Sequence, residues 1–186
     1  MSRILPVRTG WDPSPDDDFY PDDLPEDWRL TYFANMLGAV ALDADAWDSA
    51  DVGTLAQWCR DVPATFAFYL HHDTCAVAVS ESVGTQAGLG EHFGGWILCP
   101  DQGHGGDLTG SAYVLLECVA AAAGSRASAL ACAVPAGLYT DLRAARGWLE
   151  ELAAAARGRP ALALMGRARF EDVSRWQSLV ELLGLG

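Results

Sequence analysis

What most constrains this chain is an alternation. Short, unbroken apolar runs stand at residues 39–43 (AVALD), 65–70 (TFAFYL), 95–99 (GWILC), 127–134 (ASALACAV) and 161–165 (ALALM), and segments of helical spacing separate most of them. A strand buried on both faces has no polar alternation to show, so such runs read as strands of a covered, parallel sheet. Residues 3–9 (RILPVRT) add a first strand, with Pro6 tolerated near an edge. Between the strands, Pro25, Glu26 and Asp27 open a helix that runs to Leu37, since proline and acids suit a first helical turn. Residues 49–62 begin with a serine or aspartate cap and repeat apolar residues at helical spacing. Residues 111–123 read as an alanine-rich helix, 141–157 as an amphipathic helix and 171–184 as the last one. The polar stretch between residues 70 and 95 has no clear period. Six strands separated mostly by helices predict a predominantly parallel α/β sheet with right-handed crossovers, as an open sheet or a barrel.

The 186 residues, 51% of them hydrophobic, suffice for one core, and a single domain over 1–186 is expected. No apolar run reaches the roughly 20 residues of a membrane span, and MSRILPVRTG lacks the apolar centre of a signal peptide, so a cytoplasmic protein is expected. The five cysteines are odd in number and widely spaced, which favours free thiols over disulfides or a zinc knuckle. Charge excludes more. The 12 basic residues are all arginine; residues 1–93 hold 4 of them against 16 acids, whereas residues 94–186 hold 8 against 9. A surface that repels polyanions argues against nucleic acid or anionic membranes as partners.

The first third carries a specific run: Gly10-Trp11, Phe19-Tyr20-Pro21, Leu24-Pro25, then Trp28, Tyr32 and Phe33. In order and spacing it resembles the YecE-like family, the domain of unknown function 72. That resemblance covers about residues 5–71 and implies a TIM-type (β/α) barrel. The family is commonly some fifty residues longer, which implies a reduced, incomplete barrel of about six strands, shortened at the C-terminal end. It also implies a Glu-Ile-Asn on the second strand, followed by a Phe-Tyr pair, and a lysine ending the third. Here those positions read Ala41-Leu42-Asp43, Ala46-Trp47 and His71. The Phe19-Tyr20-Pro21 loop then reads as a lid over the barrel mouth, its acidic neighbours remaining in water.

Candidate site residues follow from position, because barrel ligands gather at the C-terminal ends of the strands. Asp12, Asp43, Asp45 and His71 each follow a predicted strand. Trp11, Tyr20 and Trp47 fall in loops able to line a pocket, and His104 lies in the glycine-rich loop DQGHGGD (101–107). Asp12, Asp43 and His71 offer weak metal-ligand candidates, but a metal-free polar rim is the simpler reading, and no cofactor is expected. Of His71 and His72, adjacent on a strand, only one can face inward. Cys75 beside His72 is weaker still as a nucleophile, and Ser80, Ser82 and Ser111 stand in no nucleophile turn. The glycine loop lacks the phosphate-loop ending, and the chain has no lysine to supply one. The expectation is therefore a non-catalytic binding or protein-interaction module, with room for a small molecule in the barrel mouth. The alternative is a metal-dependent hydrolase or isomerase using Asp12, Asp43, Asp45 and His71. A protein partner is expected, with a homodimer as the first choice, because a six-stranded barrel would leave RILPVRT and ALALM as open edges.

Overall fold

A computed structural model describes residues 2–14, 18–72, 83–99 and 112–186. Seven strands form one closed barrel, in the spatial order of the chain: β1 (Ile4–Thr9), β2 (Ala39–Leu42), β3 (Ala67–His72), β4 (Phe93–Leu98), β5 (Ala112–Leu116), β6 (Ala129–Ala133) and β7 (Ala161–Leu164). Every pairing is parallel. Around them run α1 (Arg29–Met36), entered through a 3-10 turn at Glu26–Trp28, α2 (Ala44–Trp47), α3 (Val52–Asp61), α4 (Val83–Leu89), α5 (Val119–Gly124), α6 (Leu142–Ala156) and α7 (Phe170–Leu182). The parallel α/β sheet expected from the alternation is present, closed into the barrel that the family resemblance implied. Among the described residues no helix is long and apolar enough to cross a membrane.

Two expectations need correction. Among the described residues the strand count is seven, because the helix expected over this region is split: Ala112–Leu116 is β5, and Val119–Gly124 is helical. A five-residue apolar run running into alanines fits either state by pattern alone, and pairing with β4 and β6 decides it. The open edges also do not exist. Ile4, Leu5, Pro6 and Val7 pair in register with Ala161, Leu162, Ala163 and Leu164, so the first and last strands close the barrel on each other. This removes the edge argument for a homodimer. Pro6 is compatible with two-sided pairing because β1 joins β2 only through Arg8 and Thr9, farther along.

The alternating strand residues divide the core in two. Facing inward, Val7, Ala39, Ala41, Tyr69, Ile97, Tyr113, Ala129, Ala131 and Leu162 fill the barrel. Facing outward, residues such as Val40, Leu42, Phe68, Leu70, Trp96, Leu98 and Leu130 meet the helices. Fewer strands give a narrower barrel, and inward alanines such as Ala39, Ala41, Ala129 and Ala131 supply the small side chains that a narrow interior requires. Two tyrosines take the remaining space, their rings edge to face at 5.4 Å. Gly94 makes room for one of them: a Cβ there would lie 2.8 Å from Cζ of Tyr69.

Candidate functional site at the barrel mouth

Strand parity determines which polar groups reach the C-terminal mouth. Ala39 and Ala41 face inward on β2, so the next residue of the same parity, Asp43, continues that row past the strand end. Ala67 and Tyr69 face inward on β3, which puts His71 in the same row. The two rows meet: His71 Nδ1 lies 3.8 Å from Asp43 Oδ1, with the side chains 24% and 57% exposed. Asp43 occupies the N-cap position of α2 but makes no side-chain capping bond. Its carboxylate is thus aimed at the histidine and not at the helix amides it would ordinarily serve.

Other predicted residues go elsewhere. His72, of opposite parity, is buried in the outer layer, its ring 5.4 Å from Trp47 and 6.2 Å from Trp96. Trp47 is not a pocket wall; it is 1% exposed, and its indole N–H donates to the His71 carbonyl at 2.9 Å. That bond fixes the backbone of the residue whose imidazole faces Asp43. Asp45 is exposed on α2, and Asp12 is exposed in the loop after β1. His104 and the loop 101–107 lie outside the described residues, as do Cys75, Ser80, Ser82 and Ser111. Among the described residues no group of three or more histidines, cysteines or acids is placed to hold a metal ion.

The aromatic loop is pinned to the flank of the barrel. Phe19 stacks on Phe170 of α7 with ring centroids 3.7 Å apart and meets Tyr32 of α1 at 5.2 Å. Tyr20 contacts the same two rings, and its hydroxyl donates to the Trp11 carbonyl. These rings pack against the outer layer and not the barrel interior, which is where the structure departs from a lid closing directly over the mouth. Trp11 turns outward too, edge-on to Trp58 of α3 at 5.2 Å.

Arg8, which sequence reasoning passed over, organises this corner. It is 1% exposed, and its guanidinium donates from Nε to the Ala168 carbonyl at 2.8 Å and from Nη1 to the carbonyls of Thr9 and Gly10. Nη2 donates to the Asp12 carbonyl at 2.8 Å and to Ser14 Oγ at 2.7 Å. The planar group also lies over the Phe170 ring, 4.2 Å from its centroid. The available signal was a charged residue of outward parity inside an apolar strand, just before Gly10-Trp11.

Residues 8–74 match the family model described as a protein of unknown function, DUF72. No curated protein matches the chain. A DUF72 family protein of Thermotoga maritima superposes with a TM-score of 0.62 at 10% identity, over 96% of this chain and 99% of that one. A DUF72 family protein of Enterococcus faecalis gives 0.58 at 9% identity, over 100% and 99%. A proposed aldo-keto reductase of Pseudomonas aeruginosa gives 0.54 at 11% identity, over 94% and 88%. At these identities the structural likeness is one of fold.

Proposed function

We propose that this chain, whose residues 8–74 match the DUF72 family model, is a binding protein which recognises a ligand or a protein at its barrel mouth and performs no reaction there. The observation that carries this is Ala41. Where the family resemblance implies a glutamate aimed into the barrel, this chain has a methyl group, 2% exposed and packed with Val7, Tyr69 and Ile97. Ala41 leaves the Asp43–His71 pair at the rim without the carboxylate that the resemblance implies one step below Asp43, and the inward neighbour below His71 is the phenol of Tyr69. A carboxylate beside an imidazole is well suited to hold a polar ligand by hydrogen bonds. A cytoplasmic location goes with this role and is supported by the free thiols of Cys59, Cys99, Cys118 and Cys132.

The same contact is what favours a metal-dependent hydrolase or isomerase instead, since Asp and His are common ligands of zinc and manganese. The two roles separate in one experiment. Protein purified without a histidine tag should contain no stoichiometric metal, and its melting temperature should be unmoved by Mn, Zn or Mg. One equivalent of metal, lost in Asp43→Asn, would overturn the binding role in favour of the enzyme.

A further inference from the structure

A second surface lies away from the mouth, on the flank between α1 and α3. There a groove of about 710 Å³ is lined by Trp11, Trp28 and Trp58 together with Glu26, Asp27 and Asp61. Its floor is firm: Trp58 is edge-on to Trp11 at 5.2 Å and lies against Phe68 of the outer layer at 6.0 Å. Its rim is not. Trp28 remains 60% exposed, an unusual state for the largest apolar side chain and one that marks a contact surface.

We propose that this groove receives an arginine- or lysine-bearing segment of a partner protein. Indoles attract cations through their quadrupole, and three tryptophans line one concavity. The acids give the matching charge. Glu26 is paired with Arg29 at 3.3 Å and Asp61 accepts from Gln57 at 2.6 Å, but Asp27 has no ion-pair partner among the described residues. The basic residue of the lining, Arg60, is turned to Gln57, to which it donates at 2.6 Å. Every lining residue comes from the first half of the chain, where residues 1–93 carry 16 acids against 4 arginines, a net negative charge that favours encounter with cations. An acidic or nucleic-acid partner would meet that field as repulsion. The site is independent of Asp43 and His71, so success or failure here leaves the role of the mouth undecided.

The test uses the full chain and a fluorescein-labelled hexa-arginine peptide, followed by anisotropy at about 50 mM and about 500 mM salt. Wild type should bind, more weakly at the higher salt. Trp28→Ala, which removes an exposed side chain and no charge, should weaken binding about tenfold, and Asp27→Asn about threefold. Glu150→Gln with Glu181→Gln, on distant helices, should change it little. Circular dichroism checks that each variant keeps its fold, and Trp28→Phe should restore most of the binding. If Trp28→Ala binds as wild type does, the peptide is held only by diffuse negative charge and the groove is not its site. Binding of a neutral chitin hexasaccharide in place of hexa-arginine would equally overturn the proposal.

Discussion

At the scale of single residues, Arg8 holds the start of the loop that follows β1 by bonding the Gly10 and Asp12 carbonyls and the Ser14 hydroxyl. Five of its hydrogen bonds go to four carbonyls and one hydroxyl, and Ser14 passes the connection on by donating to the Arg167 carbonyl at 3.0 Å. The guanidinium therefore joins the β1 loop to the segment between β7 and α7, across the point where the barrel closes. Arg8→Met keeps most of the stem but leaves buried carbonyls without donors, and each such loss costs about 1–3 kcal/mol. Urea denaturation of Arg8→Met should show a loss of about 3 kcal/mol or more, with Arg8→Lys recovering little because an ammonium cannot reproduce the planar fork. A loss under about 1 kcal/mol would mean that water takes over the acceptors. The pair at the mouth was legible at this same scale, since both Asp43 and His71 end apolar strands and parity does the rest. Arg8 was not, because its role depends on carbonyls that are about 160 positions away in sequence, at Ala168.

At the scale of elements, local chemistry sets several boundaries that the sequence makes visible. Asp51 caps α3 by accepting from the Thr54 amide at 2.7 Å, and Asp141 caps α6 by accepting from Arg143 and Ala144 at 3.1 and 3.0 Å. The Thr54 amide bond is also the main cause holding the Asp51 carboxyl below its usual value of 3.8. A depressed folded value means that the stabilisation is complete above the unfolded value and is lost as pH falls through the folded one. The melting temperature of Asp51→Ala should therefore lie below that of wild type at about pH 7, with the gap narrowing below about pH 4. An equal gap at both ends would show that the charge of the cap is irrelevant. Elements lacking such punctuation were harder to read. β3 begins two residues later than its apolar run, since Phe66 closes a turn onto the Pro63 carbonyl and His71 and His72 complete the strand. α2, four residues long, is too short to display a period. The whole of β5 was hidden in an alanine-rich run whose strand state comes from its neighbours on both sides.

At the scale of the whole molecule, the question is what a barrel does when it has seven strands. Closure needs every strand to find two partners, and β1 and β7 find each other along four register positions. The interior then has to shrink, which the alanines at 39, 41, 129 and 131 allow, and Tyr69 and Tyr113 occupy what is left. The alternation made the parallel sheet legible, but closure was not, because it depends on a register between residues 4–7 and 161–164 that no local pattern announces. With no open edge, a homodimer has to rest on exposed apolar side chains. Among the described residues the large ones are Trp28, Met36, Val52, Leu142 and Leu182, spread over four helices and a turn. Leu182, at 84% exposure near the end of α7, is the most open of them, yet one leucine falls far short of the roughly 800 Å² per partner that a stable interface buries. The formal charge of −13 adds repulsion between copies, mostly from the first half of the chain. Light scattering after size exclusion at tens of micromolar is therefore expected to give the 19.8 kDa of a single chain. A doubled mass would refute this, and its loss in Leu182→Glu would locate the contact on α7.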